Sequence, residues 1–181
     1  KVSIPFDVYA FSNEWSRGAR YTDTKLPKHY EETEGLLKVE EYFNMMNILT
    51  SKTNAKTLEK QLLNIWRIAE CFAKRTYFRY PERMTLSGTP LNESIISLHQ
   101  ILPKFQKENR VEKVQCIILT DGEGSQIPYH KLIEDSYFGT EEEPFLGSRG
   151  IRPGRTFLRD RKVGKTYGFQ YEYHQFTDVL L

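Results

Sequence analysis

The sequence predicts an α/β fold with a mostly parallel sheet, and two observations support this class. The first is the apolar run at residues 114–120, which has charge on one side and glycines on the other, as a fully buried parallel strand does. The second is the order of elements, in which a strand is followed by helices, another strand and another helix. Open α/β sheets bind ligands at the carboxyl ends of their strands, so we expect the functional site just after residue 120.

Length and composition indicate one globular domain over residues 1–181. Hydrophobic residues make up 39% and charged residues 28% of the chain, and the formal net charge is +2. This small charge argues against a chain-wide attraction to nucleic acid or to an anionic membrane, and no stretch approaches the ~20 apolar residues of a membrane span. Cys71 and Cys116 both lie in apolar segments, which predicts buried free thiols and a cytoplasmic location.

The amino-terminal part of the chain is predicted to hold a strand and a helix. Residues 4–11 form the strand, and Ser12 and Asn13 form its exit turn. Residues 13–35 are polar and irregular, and a segment of this length indicates a functional loop or an insertion. The helix is predicted over residues 36–49, because apolar residues recur there at helical spacing. These are Leu36, Val39, Phe43, Met46 and Leu49.

Two longer helices are predicted in the middle of the chain. The first follows Ser51 or Asn54, either of which can serve as its N-cap, and has an apolar stripe that includes Leu62 and Trp66. The second has Pro90 at its first position, and Pro103 is expected to end or kink it. Further along, residues 155–170 are predicted to form a β-hairpin, and residues 174–181 to begin a last helix.

Two short motifs carry the candidate site. Asp121 and Gly122 follow the apolar run, and the segment Ser87-Gly88-Thr89-Pro90 opens a helix earlier in the chain. A carboxylate and a hydroxyl are oxygen ligands of the kind that Mg²⁺ prefers. Each motif also has a plain structural interpretation: Asp and Gly form turns, and Thr89 can act as a helix N-cap.

Together these segments resemble the von Willebrand factor type A (VWA) domain. Residues 87–94 and 117–122 resemble the second and third parts of its metal-ion-dependent adhesion site, and residues 6–12 resemble its second strand. The overall order resembles the intracellular, cobaltochelatase-subunit-like members found in bacteria and phages beside AAA+ ATPases. The likeness covers residues 4–125 well and the remainder loosely.

The resemblance implies a doubly wound, Rossmann-like sheet with a divalent cation at its carboxyl edge. Thr89 and Asp121 correspond to metal ligands, and the edge around them comprises Ser87, Gly88, Gly122, Glu123 and Ser125. The cation is expected to be Mg²⁺, with Mn²⁺ and Ca²⁺ as alternatives. The family's Asp-x-Ser-x-Ser motif is missing from the sequence, so we expect either a domain shortened at both ends or a degenerate, metal-free member.

Residues 149–170 form a basic segment that resembles a hairpin insertion in this subgroup. Its seven cations are accompanied by a single acid, Asp160. The simplest interpretation is a solvated hairpin, paired with the acidic residues 141–143; the alternatives are binding of nucleic acid phosphates or of an acidic partner. The candidate partner-binding residues are Arg155, Arg159, Arg161, Lys162 and Lys165.

These observations predict a metal-dependent protein-interaction module and not an enzyme. The resemblance implies a protein partner, either an AAA+ ATPase or another assembly subunit, and a location in the cytoplasm or in a phage particle. One alternative is a metal-free structural protein of a virion or other assembly. Another is a metal-assisted hydrolase. Ser125 and His130 also suggest a hydrolase, although no G-x-S-x-G motif is present.

Overall fold

A computed structural model describes residues 4–13, 32–39, 43–74, 84, 88–134, 144–169 and 175–181. These residues form three helices and three two-stranded sheets, so a mixed helix-and-strand structure is confirmed. Every strand pair in this part of the chain is antiparallel, and the predicted parallel sheet is not seen there. Most of the predicted loop at 13–35 lies outside the described residues, as do Ser87 and the acidic residues 141–143.

The first sheet is a hairpin of β1 (Asp7–Asn13) and β2 (Phe43–Thr50). The predicted first strand is confirmed, but it continues through Ser12 and Asn13, which were expected to form a turn. The helix predicted over residues 36–49 is wrong, because residues 43–50 pair along the whole of β1. The apolar spacing of this segment suits a helix, but the backbone hydrogen bonds to β1 determine its conformation.

Both of the longer predicted helices are confirmed. Helix α1 (Ala55–Lys74) follows Asn54, whose Oδ1 accepts a hydrogen bond from the Thr57 main-chain nitrogen at 2.9 Å, as an N-cap does. Helix α2 (Leu91–Asn109) begins one residue after Pro90 and continues through Pro103. Of the two predicted effects of Pro103, a helix end or a kink, the helix end is therefore wrong. Both Pro103 and His99, whose carbonyl loses its helical donor, lie on the exposed side of α2.

The carboxyl-terminal part of the chain contains two hairpins and a short helix. Strands β3 (Tyr129–Ile133) and β4 (Phe145–Arg149) form one hairpin, and β5 (Phe157–Arg159) and β6 (Thr166–Gly168) form the other. The second was predicted at residues 155–170 and is confirmed. Helix α3 (Gln175–Leu180) confirms the predicted last helix. The segment at residues 35–38 runs beside β3 and bonds to it through main-chain atoms of His130 and Pro128.

The main apolar core lies between these carboxyl-terminal elements and α2. Ile127, Ile151, Phe169 and Phe176 are buried together, and the rings of Phe169 and Phe176 stack with centroids 5.7 Å apart. The partly buried residues that pack against them are Leu37, Ile96, Leu158, Val179 and Leu180. The core therefore joins the amino-terminal segment 35–38 to the last helix of the chain.

The apolar run at residues 114–120 is not a buried strand. Leu119 is 86% exposed and Ile117 73% exposed, and no described strand pairs with the run. Cys116 is exposed as well, contrary to its predicted burial, while Cys71 is half-buried. On helix α1, Leu62 and Trp66 of the predicted stripe are also exposed. Apolar side chains become buried only where a neighbouring element supplies an opposing surface, and the described residues supply none at these positions.

Candidate functional site

Three segments that are distant in sequence meet around Thr89. A β-carbon added at Gly122 would lie 2.9 Å from Thr89 Oγ1, so the main chain of Gly122 packs against this hydroxyl. A β-carbon added at Gly88 would lie 2.8 Å from both polar side-chain atoms of Asn13, which is the last residue of β1. The structure thus brings together the two motifs that the sequence predicted to meet, and adds the end of β1.

The Thr89 hydroxyl does not serve as a helix cap. Helix α2 has Pro90 at its N-cap position and no side-chain capping hydrogen bond, and the Leu91 nitrogen donates instead to the Thr89 carbonyl at 2.8 Å. The N-cap interpretation of Thr89 is therefore wrong. Within the described residues no hydrogen bond occupies Thr89 Oγ1, which leaves this oxygen available to a ligand.

A tight turn presents Asp121. Thr120 Oγ1 accepts a hydrogen bond from the Gly122 nitrogen at 3.3 Å and donates one to the Gly122 carbonyl at 2.9 Å. This local bonding accounts for the turn that was the plain interpretation of the Asp-Gly pair. Asp121 itself is exposed, so the turn places a solvent-accessible carboxylate next to the residue that contacts Thr89. The two interpretations of Asp121 are compatible.

Asn92 fixes the rest of this loop, and sequence reasoning assigned it no role. It is fully buried; its Nδ2 donates to the Ser125 carbonyl at 2.7 Å, and its Oδ1 accepts from Thr177 Oγ1 at 2.7 Å. A β-carbon at Gly124 would lie 2.8 Å from Asn92 Nδ2. The only sequence signal was a short polar residue just inside a helix, which does not reveal burial. Ser125 therefore accepts this hydrogen bond through its main-chain carbonyl, although the residue is exposed, as is Glu123.

The donor set at this edge fits a hard cation only in part. Thr89 and Asp121 offer a hydroxyl and a carboxylate, both oxygen donors suited to Mg²⁺. In the described part of the chain, no group of three or more His, Cys, Asp or Glu side chains is placed to hold a metal ion. Two side-chain oxygens leave most of a six-coordinate shell to water and to a partner.

The five cations predicted to bind a partner lie in two places: three line a groove, and two lie at the tip of a hairpin. Arg155, Arg159 and Arg161 line a groove of about 1000 Å³, which we call the basic groove. Lys162 and Lys165 lie outside its lining. They belong to the β5–β6 turn, where Asp160 Oδ1 accepts a hydrogen bond from the Lys162 nitrogen at 2.7 Å. All five cations are exposed, as predicted for a solvated hairpin.

The histidine of the hydrolase alternative lies in an enclosed position. His130 is in β3 opposite Ser148 and is 2% exposed, and within the described residues its Nε2 has no hydrogen-bond partner. A general base must come within hydrogen-bond reach of its substrate, either directly or through one water. The burial of His130 therefore does not favour its use as a base toward an external substrate.

Comparisons with protein-family models, curated proteins and solved structures find no match to this chain. Among the helices of the described residues, none is long and apolar enough to cross a membrane. What the chain does must therefore be inferred from its own two surfaces: the edge formed by residues 88–89 and 121–125, and the basic groove.

Proposed function

We propose that this chain is a protein-interaction module that docks through the edge formed by residues 88–89 and 121–125, which we call the Thr89 edge. A divalent cation, Mg²⁺ in the first instance, is held there by the Thr89 hydroxyl and the Asp121 carboxylate. The observation that carries the proposal is the contact between Thr89 and Gly122. It brings the Thr89 hydroxyl, which makes no hydrogen bond within the described residues, against the glycine that directly follows the exposed Asp121.

The chemistry of the edge favours docking over catalysis. The cation supplies an open coordination position to a carboxylate of the partner. The chain's own residues do the positioning: Thr120 stabilises the turn at Asp121, and Asn92 anchors the Ser125 main chain to the buried start of α2. A rigidly held loop loses little conformational entropy when a partner binds.

We include in the same proposal the doubly wound sheet and the protein partner that the VWA resemblance implies. The doubly wound, parallel VWA sheet requires further strands beside β1 and beside residues 114–120. The exposed apolar side chains of that run are the surface that such a sheet would cover. The partner implied is an AAA+ ATPase or another assembly subunit, and this assignment rests on the resemblance alone.

Mn²⁺ binding tests the cation part of the proposal. Free Mn²⁺ is followed by its electron paramagnetic resonance signal while protein is added, and Mg²⁺ is then used as a competitor. We expect Asp121→Asn to weaken Mn²⁺ binding at least tenfold, which corresponds to about 1.4 kcal/mol. Thr89→Val should weaken Mn²⁺ binding too, whereas Thr89→Ser should preserve binding because it keeps a hydroxyl at this position.

The matched control is Glu59→Gln, which removes an exposed carboxylate of helix α1. It should leave Mn²⁺ binding unchanged. Equal Mn²⁺ binding by the wild-type protein and by Asp121→Asn would contradict the proposal that the Thr89 edge holds a cation. Circular dichroism of each variant separates a lost ligand from a lost fold.

A metal-free assembly component is the second candidate, and the exposed apolar surfaces favour it. Ile117 and Leu119 are exposed on one segment, and Leu62, Leu63 and Trp66 are exposed on α1. Surfaces of this kind commonly mark contacts between proteins. Association with a partner that persists in chelator and is lost in Leu119→Asp would support this candidate over the first.

A further inference from the structure

We propose that the basic groove is a docking site for an acidic peptide segment that carries aliphatic anchor residues. This inference goes beyond the proposed function, because it concerns a different surface and requires no metal. The groove lies between the segment at residues 35–39, helix α2 and the β5–β6 hairpin. At about 1000 Å³ it is at the upper end of the ~300–1,000 Å³ typical of ligand pockets.

The charge of the groove is uniformly positive. Arg155, Arg159 and Arg161 line it, and none of its described lining residues is acidic. Asp160, the neighbouring acid, accepts hydrogen bonds from the main-chain nitrogens of Lys162 and Val163 and so contributes to the hairpin turn. None of the three guanidinium groups has an ion pair within the described part of the chain. Three unneutralised arginines around a concave surface are complementary to carboxylates.

The walls of the groove are mainly apolar, with six aliphatic and three aromatic residues in the lining. Leu36, Leu37, Val39, Ile96 and Ile151 contribute to them. Phe157 adds an exposed aromatic side chain, of which 62% is accessible. The surface therefore offers apolar contacts over much of its area, with the positive charge contributed by the β5–β6 side.

Strand β5 places an apolar and a charged side chain next to each other. Side chains alternate along a strand, so Phe157 and Arg159 share one face while Leu158 turns toward the core. A bound segment with an aliphatic side chain beside a carboxylate would contact both at once. Together with the aliphatic walls, this pairing indicates the sequence character of the occupant, namely leucine-like anchors alternating with Asp or Glu.

The same features favour a peptide over a nucleic acid. Proteins that bind single strands combine a cationic track with several aromatic faces for base stacking. Here three aromatic residues line the groove, but Phe169 is buried in the core and Tyr129 is half-buried, so Phe157 alone among the lining residues offers an exposed aromatic face. Aliphatic walls suit leucine, isoleucine or valine side chains, so we assign the groove to a peptide.

Fluorescence anisotropy with labelled peptides tests this proposal. The probe is a short fluorescein-labelled peptide composed of glutamate and leucine. Two control peptides replace glutamate by glutamine or leucine by serine. We expect the full-length chain to bind the probe at least tenfold more tightly than either control peptide, and the affinity to fall as salt is raised. Equal binding of all three peptides would overturn the proposal.

Matched variants of the chain locate the site. Arg155→Glu with Arg159→Glu should weaken probe binding at least tenfold, whereas Arg149→Glu with Arg152→Glu should not. The second pair makes the same charge change in the same basic segment but lies outside the groove lining. Phe157→Ser should weaken binding severalfold, and Val163→Ser, at the exposed tip of the same hairpin, should leave it unchanged.

Two further measurements distinguish peptide binding in the basic groove from nucleic-acid binding and from peptide binding at the Thr89 edge. Oligothymidylate that binds more tightly than the acidic peptide, and loses affinity in the same variants, would overturn the peptide assignment in favour of nucleic acid. Probe binding should survive chelator and Asp121→Asn. If it does not, the peptide binds at the Thr89 edge and the groove proposal fails, whatever the outcome for the cation.

Discussion

The run at residues 114–120 and the core around Ile127 are close in sequence but opposite in burial. Ile117 and Leu119 are largely exposed, whereas Ile127 is completely buried against Ile151 and Phe169. Both regions contain large aliphatic side chains, so amino-acid composition does not explain the difference in burial. The core is enclosed because α2, two hairpins and α3 each supply a surface. The run has no such neighbours within the described residues.

The comparison shows what hydrophobic patterning does and does not predict. An apolar segment indicates that a covering surface is favourable, because burial of apolar area stabilises the folded state. It does not indicate which part of the chain, or which partner, supplies that surface. A segment that stays exposed while others nearby are buried is a candidate contact surface.

The largest expected effect is a direct contrast between the two regions. Ile127→Ala removes a buried side chain from the core and should lower the free energy of unfolding by about 2–5 kcal/mol. Ile117→Ala makes the same chemical change at an exposed position and should alter it by less than about 0.5 kcal/mol. Urea unfolding followed by tryptophan fluorescence measures both. A large loss for Ile117→Ala would mean that the run is covered in solution, and the contrast would fail.

An intermediate effect is expected at Gly124, which lies between the two regions. The new methyl group of Gly124→Ala would come within 2.8 Å of Asn92 Nδ2. Asn92 is buried and hydrogen-bonded at both ends, so it cannot move without loss, and crowding of this kind typically costs about 1–3 kcal/mol. Reduced conformational freedom of the unfolded chain offsets about 0.4–1 kcal/mol of this cost. Urea unfolding should therefore show a net destabilisation.

Gly150→Ala is the control for that substitution. In the part of the chain that the structure describes, no atom outside Gly150 and its two sequence neighbours lies within 4 Å of the position that its β-carbon would take. Only the effect on the unfolded chain remains, so stability should be unchanged or slightly increased. If the two glycine variants behave alike, the packing of the loop against Asn92 is looser than the distances indicate.

The smallest effect is expected for the exposed ion pair of Lys52 and Glu108, which joins the β2–α1 connection to the end of α2. Its hydrogen bond lowers the pKa of Glu108 from the ordinary value of 4.5 and raises the pKa of Lys52 from 10.5. The contribution of Glu108 to stability is present above pH 4.5 and is lost as the pH falls through its lowered pKa. That of Lys52 is present below pH 10.5 and is lost as the pH rises through its raised pKa.

Thermal unfolding of Glu108→Gln tests this pair. The variant should unfold at a slightly lower temperature than the wild-type protein at neutral pH and low salt. The difference should vanish at high salt and well below pH 4.5, because both charges are solvent-exposed. Glu59→Gln changes an exposed glutamate of α1 and serves as the control. A difference that persists at high salt would show that the charge itself is not the cause.

Local signals predicted several elements well. The helical spacing after Asn54 and the side chain of Asn54 itself identified the start of α1. The glycine and basic residues around residue 164 identified the turn of the β5–β6 hairpin, where Gly164 has a φ of +73°. These features depend on neighbouring residues only, so the sequence contains the information.

Long-range features were predicted less well, for physical reasons. The apolar residues of segment 36–49 fit a helix, but pairing with β1 makes residues 43–50 a strand. The approach of Thr89 to Gly122 was predicted from motif order, whereas Asn92 was missed because a polar side chain gives no sign of its burial. The lining of the basic groove comes from segments spread between residues 35 and 169, which meet only in the folded chain.

The hydrogen bond from Thr177 to Asn92 has a practical consequence for expression of shorter fragments. A fragment that ends before α3 loses the hydroxyl that donates to Asn92 Oδ1 and removes Phe176 from its stack with Phe169. The same asparagine positions the loop that carries Asp121, so such a fragment would disturb that loop although the deletion lies far from it in sequence. Fragments designed to isolate the Thr89 edge should therefore retain the last helix.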